Sequence, residues 1–466
     1  MKLEDKVMRK KIFGMVMAVI SLVITNVWTI DGLTVQAMHT LGVLLATLFL
    51  QIFESFDLSV SCLLSSALLY LFGCVDNISD AFSGYTNHVL YFTLASFGVS
   101  LAFQKSILSK KLLSIMIPNK KISVRKLTFL FMVCASALSS IMSNVAAVVI
   151  FIPYVEMFLE YYHDETARKK TAKTMFIGLV VAAMSGGMIT PAGSSVNLIS
   201  IDMLKNYTGN GIRFIDWMKV GLPLAVVVLI IAFLIITLVF PPVEPGEAEL
   251  TQYLSVIKEK KKFRPMDIYI GVLIGGIVFT WIISSWIPAI NITVTSLIGL
   301  ALMFLPMFPV MTWEEFSGTN SWATFFIAGN HISIASAVIA TGLCDYFAKV
   351  LFHSNGDMPL VLVIAQIATI TFIFMALLPS APAVVTILSP IILSFAVASG
   401  LNPTMLLMAC VLCVPNIYLF PLDAPLIVAY DKKAFTMFDL PKATIWIQLA
   451  IIIVISLWIP LIFLVI

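Results

Sequence analysis

Three polar clusters interrupt long apolar runs of this chain, and each carries groups of the kind that hold small ions. In SSIMSNVAA, Ser139 and Ser143 stand one helical turn apart on one face, and Asn144 adds a carboxamide. Hard neutral oxygens of this sort, joined by the free carbonyls of a broken helix, suit a monovalent cation such as Na⁺. The same residue types cap helix ends, so capping and coordination can coexist at one turn. In TPAGSSVN, Pro191 and Gly193 mark where a helix must unwind, and Ser194, Ser195 and Asn197 are donors beside a half-helix N-terminus. Free amides at such an end attract anions without a fixed positive side chain. The third cluster, FPLDAPLI, carries Asp423 inside an apolar window. A carboxylate at membrane depth costs about 3 kcal/mol on insertion scales, which makes it a functional candidate by default. It reads as a cation ligand, as a proton carrier, as a partnered structural carboxylate or as a residue nearer the cytoplasmic face.

The elements that must position these residues are membrane helices. Of 466 residues 60% are hydrophobic and only 11% charged, against about 25% charged in soluble domains. Apolar windows fall at 12–29, 36–51, 58–74, 88–104, 128–160, 174–204, 217–240, 266–286, 291–309, 320–343, 359–399, 402–430 and 443–466. The windows at 128–160 and 359–399 are too long for one helix and break near their middles, at SSIMSNVAA and LLPSAPAVV. Unwound backbone at membrane depth survives only around a cavity, so interrupted segments at matching places in two halves point to the binding site of a secondary transporter.

The basic residues test a topology. With a cytoplasmic N-terminus and both long windows as re-entrant hairpins, 24 of the 28 Lys and Arg fall on the cytoplasmic side. Only Lys205, Arg213, Lys219 and Lys349 remain outside, as the positive-inside rule expects. The expected fold is therefore an all-α polytopic membrane protein of about eleven transmembrane helices. Two re-entrant hairpins and two broken helices accompany them, and the C-terminus lies outside. The hairpins face opposite sides.

An internal repeat supports this reading. The FSG of Phe82–Gly84 recurs at Phe316–Gly318, an offset of 234. SNVAAVVIFIP from Ser143 aligns with SAPAVVTILSP from Ser380 at an offset of 237, and TPAGSSVN with FPLDAPLI at 230. An odd number of spans separates corresponding elements, so the copies are inverted in the membrane. The second copy has fewer side-chain oxygens: Ser380 is kept, but Ala376 stands for Ser139, Ala381 for Asn144 and Pro382 for Val145.

Several other features read as structural. Cys62, Cys74, Cys134, Cys344, Cys410 and Cys413 are scattered through apolar runs, and the Cys410/Cys413 pair reads as core packing. His331 beside Asn330 reads as a hydrogen-bonded core histidine, and Glu54 and Asp57 as solvated residues at a helix end. Lys258, Lys260, Lys261 and Lys262 read as an orientation signal on the loop joining the repeats, where an amphipathic stretch begins at Glu247. The Asn206-Tyr-Thr sequon would face outside. No basic block interleaved with aromatics suggests nucleic acid, and no HExxH or GxSG-type nucleophile suggests an enzyme. A channel is a remote alternative.

With these residues in view, the whole chain resembles the divalent-anion/sodium symporter family of the ion transporter superfamily, whose members carry dicarboxylates, citrate or sulfate. Its hairpin tips carry Ser-Asn-Thr motifs, matched here by Ser143 and Asn144 with Val145 in place of threonine, and by Ser380 alone at the second tip. Pro191, Gly193 and Asn197 match its first loop, with Ser194 and Ser195 where threonine and proline are usual; Pro421 and Pro425 match its second, and Asp423 departs from it. The resemblance implies a first Na⁺ site of Ser139, Ser143, Asn144 and Gly193. It implies substrate contacts at Asn144, Val145, Ser194, Ser195, Asn197, Ser380, Pro382 and Pro425. Asp423, where the chain departs from the family, is with Ser380 the candidate for a second cation or proton site, on the ground of its depth in an apolar window. It also implies a homodimer working by an elevator motion with Na⁺ as coupling ion; the alternative is the same fold as a proton-coupled (H⁺) carrier or cation-independent anion exchanger using Asp423. No cofactor is expected, and composition favours the cell inner membrane, in contact with lipid. Residues 1–127 and 266–358 would be scaffold, 128–240 and 359–466 the moving transport parts, and 241–265 a cytoplasmic linker.

Overall fold

The computed structural model describes residues 2–117, 122–259, 262–287, 289–318, 321–352, 358–378, 381–416, 419 and 423–464. These residues are all helical in their regular structure, with no strand among them. Seven helices among them are long and apolar enough to cross a membrane, including Val35–Ile52, Phe214–Val239, Pro265–Ile283 and Asp439–Phe463. Only helices satisfy every backbone group within the segment itself, which is why an apolar chain in lipid adopts them.

Both over-long windows resolve into helix pairs. The first is Val124–Ser139 followed by Asn144–Leu159; the second is Leu360–Leu377 followed by Ala381–Ala398. Each arm of the first pair has 16 residues. At 1.5 Å per residue that is about 24 Å, short of the ~30 Å hydrocarbon core and suited to an arm that enters and turns back.

The order of elements repeats. His88–Gln104, Leu108–Met116, the first hairpin, Glu165–Gly186, a 3₁₀ turn at Pro191–Gly193, Ser195–Thr208 and Phe214–Val239 follow one another in the first half. Ser321–Ala340, Leu343–Leu351, the second hairpin, Pro403–Val411, a 3₁₀ turn at Val414–Asn416, Ala424–Tyr430 and Asp439–Phe463 follow in the second. The aligned segments thus carry equivalent elements, and both broken helices unwind through a 3₁₀ turn. All six cysteines are buried and free, as core packing requires.

The chain divides into two compact units, each drawn from both halves. The first comprises Met1–Leu94, Leu198–Gly211 and Thr319–Val414. In it the FSG turn lies directly on helix Ser321–Ala340: the Gly84 amide donates to Ser333 Oγ at 3.0 Å. A methyl group at Gly84 would fall 2.0 Å from the Gly329 carbonyl oxygen. Ser66 Oγ donates to Asn330 Oδ1 at 3.0 Å from helix Leu58–Leu71. His331 is buried as expected, but neither ring nitrogen has a hydrogen-bond partner among the described residues. Asp202, which the sequence did not single out, is buried and receives the side-chain amides of Asn87 (2.6 Å) and of the sequon residue Asn206 (3.1 Å).

The second unit comprises Ala95–Asn197, Ile212–Gly318 and Pro415–Ile466. Here the segment after Phe214–Val239 is fastened to the base of the first hairpin. Tyr162 Oη donates to the Val243 carbonyl at 2.6 Å, and Glu244 accepts from the Val124 amide at 2.9 Å. Burial pushes the Tyr162 phenol up to about 12, so it stays a neutral donor at physiological pH. The expected amphipathic stretch forms helix Glu247–Lys258, whose buried Tyr253 donates to the Tyr154 carbonyl at 3.0 Å. Lys260 and Lys261 of the basic run lie outside the described residues. At the next helix start, Arg264 clamps the buried Asp267 carboxylate through three 2.9 Å bonds, two from its guanidinium and one from its backbone amide, and the Ile107 amide adds a fourth at 3.2 Å. Asp439 receives Lys173 at 2.8 Å and Lys442 at 3.0 Å. Lys105 pairs with Glu315 and holds that carboxyl below its usual range by donating a hydrogen bond to it.

Because Gly84 meets backbone rather than a movable side-chain end, Gly84→Ala is expected to cost about 1–3 kcal/mol through overpacking. The midpoint of thermal unfolding in detergent should fall by about 3 °C or more. Ala at Gly275, where nothing lies within 4 Å, should leave it unchanged.

Candidate functional site

The first interruption folds into a tight turn between two helix ends. Helix Val124–Ser139 closes on Ser140, and Ser143 caps Asn144–Leu159 by accepting from the Ala146 amide at 3.2 Å. The turn brings Ser139 Oγ within 2.6 Å of Asn144 Oδ1, to which it donates. Ser139 is fully buried, whereas Ser143, Asn144 and Val145 are half-buried at the tip. Capping and a converging set of oxygens therefore occur at the same turn. Ser100, on helix His88–Gln104, accepts from the Ser143 amide at 3.4 Å.

The unwound segment comes to this tip because glycines let two backbones touch. A methyl at Gly186 would lie 2.2 Å from the Ser136 carbonyl oxygen, and one at Gly187 would lie 2.6 Å from Asn144 Oδ1. Small residues allow this approach in membrane helices. Gly193 in turn rests on Gly187, its missing methyl 2.6 Å from the Gly187 carbonyl oxygen. Thr190 Oγ1 donates to the Ser140 carbonyl and accepts from the Ala192 and Gly193 amides, both at 3.1 Å. One hydroxyl thus fixes the 3₁₀ turn and ties it to the hairpin tip.

Asn197, on the first turn of Ser195–Thr208, is completely buried. Its Nδ2 donates to the Gly187 carbonyl at 2.8 Å and to the Thr190 carbonyl at 3.0 Å, which uses both of its N–H groups. Its Oδ1 is buried with no partner. Ser194 and Ser195 are half-buried beside the helix start, and their hydroxyls have no hydrogen bond among the described residues. The structure thus gathers Ser139, Ser143, Asn144, Val145, Gly193, Ser194, Ser195 and Asn197 into one region of the second unit. Gly187, Thr190 and Ser100 belong with them but escaped the sequence reading; the pair Gly186-Gly187 ahead of TPAG was the available signal.

The second copy is less complete. Ser380 and Pro421 lie outside the described residues. Ala376 and Pro382 are half-buried, in Leu360–Leu377 and Ala381–Ala398. Asp423 is half-buried and caps Ala424–Tyr430, its Oδ1 accepting from the Ala424 amide at 3.0 Å. Pro425 is buried in the first turn of that helix, consistent with the preference of proline for a helix start.

Comparison with known proteins places this architecture. The model of the family described as "Sodium:sulfate symporter transmembrane region" matches residues 9–466. The chain belongs to this family of divalent-anion/sodium symporters. It is accordingly a multi-pass membrane transporter and not an enzyme. It is 22% identical over 453 residues to the sodium-dependent dicarboxylate transporter SdcS of Staphylococcus saprophyticus, covering 92% of this chain and 86% of that protein. It is 23% identical over 428 residues to SdcS of Staphylococcus aureus strain NCTC 8325, covering 87% and 82%. A solved structure, the YdaH transporter of Alcanivorax borkumensis, aligns with a TM-score of 0.45 and 15% identity, over 84% of this chain and 89% of that one.

The two carbonyls facing Asn197 dictate that its donor end points at them. Asn197→Asp should therefore destabilise the symporter more than Asn197→Ala at neutral pH, because it sets a carboxylate against two carbonyl oxygens. The alanine variant leaves two buried carbonyls unpaired, a cost of about 1–3 kcal/mol each. Thermal unfolding of both variants beside the parent protein checks the order.

Proposed function

We propose that this chain is a sodium-coupled symporter of a small divalent anion, with a dicarboxylate as its substrate. The observation that carries the reading is the oxygen cluster at the first hairpin tip, where Ser139 Oγ and Asn144 Oδ1 converge at 2.6 Å beside the unwound Gly187–Gly193 backbone. Neutral hard oxygens of that kind match a monovalent cation. The Na⁺ ligands are Ser139, Ser143, Asn144 and the Gly193 carbonyl. The anion then sits against Ser194, Ser195 and the start of Ser195–Thr208, and against Asn144 and Val145. Neither the tip, residues 139–145, nor the unwound loop, 187–197, contains a Lys or Arg. Its charge is offset by the co-bound cation, which makes the two bind together.

Dicarboxylate is favoured over sulfate because the Staphylococcus relatives above are named as sodium-dependent dicarboxylate transporters. A second half-helix start, Ala424–Tyr430 with Pro425 in its first turn, presents a positive dipole end of the kind that attracts a carboxylate, and Pro382 of the second hairpin is a further substrate contact. Transport is by an elevator motion in a homodimer within the inner membrane, N-terminus cytoplasmic and C-terminus outside. Residues 1–127 and 266–358 act as scaffold, 128–240 and 359–466 as moving parts, and 241–265 as the linker. A second reading replaces one Na⁺ by H⁺ at Asp423, together with Ser380. It is favoured by Asp423 having no cationic partner among the described residues.

Uptake of labelled succinate into proteoliposomes tests the first reading. Concentrative uptake should require an inward Na⁺ gradient, and Ser139→Ala should raise the half-saturating Na⁺ concentration at least about tenfold, the loss of one ligand-grade interaction. Uptake of succinate, citrate and sulfate that all ignore Na⁺ would sink it. Asp423→Asn separates the readings: concentrative uptake survives if sodium alone drives transport, and collapses to exchange if Asp423 carries the proton.

A further inference from the structure

We infer that Trp217 is a positioning residue that sets sodium affinity by holding the unwound segment from the following span, an inference that rests on the sodium reading of the hairpin tip. Backbone accounting leads to it. Where helix Glu165–Gly186 ends, each carbonyl must find a donor, because lipid offers none. Those of Ala183 through Gly186 are taken by the amides of Gly187, Met188 and Ile189. Those of Gly187 and Thr190 are taken by Asn197. The Met188 carbonyl is taken from outside the segment, by the indole N–H of Trp217 at 3.0 Å.

Trp217 is 1% exposed, on helix Phe214–Val239. Gly221 stands one turn further along the same face, and a methyl there would fall 2.3 Å from the same Met188 carbonyl oxygen. The carbonyl is therefore seated between an indole donor and a glycine that admits it. Met188 directly follows Gly187, which packs on Asn144 Oδ1 and supports Gly193. Fixing Met188 fixes the distance between the hairpin oxygens and the Gly193 backbone. The remaining acceptor, Asn197 Oδ1, is buried and unpartnered on the same segment. With both N–H groups committed, Asn197 presents only an acceptor, which suits a cation and not the anion.

The test compares Trp217→Phe and Trp217→Tyr with Trp458→Phe in full-length protein reconstituted in proteoliposomes. Trp458 is the internal control, since its indole donates at 3.1 Å to the Val220 carbonyl of the same span and makes no hydrogen bond to the unwound segment among the described residues. Both Trp217 variants should raise the half-saturating Na⁺ concentration about tenfold, as expected for one buried carbonyl losing its donor, with succinate velocity at saturating Na⁺ within about twofold of the parent. Trp458→Phe should leave the sodium dependence where it was, whatever it does to thermal stability. Gly221→Ala, which keeps the indole and displaces the same carbonyl, should act as the Trp217 variants do and decides the matter if those fail to fold. Unchanged sodium dependence in the Trp217 variants or in Gly221→Ala overturns the inference, as does an equal shift in Trp458→Phe. If Ser139→Ala also leaves the sodium dependence unchanged, the sodium reading of the tip fails first.

Discussion

The constraint on which the rest of the site depends is that a helix broken inside a membrane must still satisfy its backbone. Between Gly186 and Ser195 the chain leaves regular helix; its amides at Ala192 and Gly193 are met by the Thr190 hydroxyl, and carbonyls among its residues by local turn geometry, by Asn197 and by Trp217. Each donor comes from a residue that the unwinding itself places within reach or from the next span. The segment lies against the hairpin tip because Gly186 and Gly187 carry no side chain to hold it away. The proposed sodium site is built from the oxygens that this pairing leaves over.

The two repeats have kept the same order of elements while their chemistry has drifted apart. At the first tip Ser139, Ser143 and Asn144 supply oxygens; at the second, Ala376 and Ala381 supply none from their side chains. Asp423 enters where the first copy has Gly193. As the cap of Ala424–Tyr430 it satisfies the orphan amide at that helix start, and a carboxylate can do so while keeping lone pairs for a cation or proton. A duplicated scaffold tolerates this divergence because the helix order is set by apolar length and backbone satisfaction, neither of which requires particular side chains at the tips.

The linker between the repeats is more ordered than its composition suggests. Tyr162, Thr171 and Glu244 fasten residues 243–244 to the base of the first hairpin, and Tyr253 fastens helix Glu247–Lys258 to Tyr154. Glu244 thereby pairs the orphan amide at the start of hairpin helix Val124–Ser139, while Tyr162 and Thr171 share the linker carbonyl of Val243. The same economy explains why Arg264 and Asp267 sit at the start of the next span, the buried carboxylate meeting both the guanidinium and the Ile107 amide.

The sequence alone determined the class of fold and much of the first site. Apolar run length, the bias of Lys and Arg, and three aligned segments required paired hairpins and broken helices, since each follows from local composition and from the fixed thickness of a bilayer. Ser139, Ser143 and Asn144 were legible as polar residues interrupting an apolar run, but the helix ends at Ser139 and Ser143 caps the next one, so they meet across a turn and not on one helical face as the spacing suggested. What only tertiary structure decided was which end of Asn197 faces what, that Thr190 and Ser100 join the tip, that Gly187 is its floor, and that Trp217 reaches Met188. Those relations join residues through the packing of separate helices, and no periodicity in a single segment encodes the partner of a backbone carbonyl. His331 shows the same limit from the other side, because its burial followed from its apolar surroundings while its lack of a hydrogen-bond partner depended on the helices packed around it.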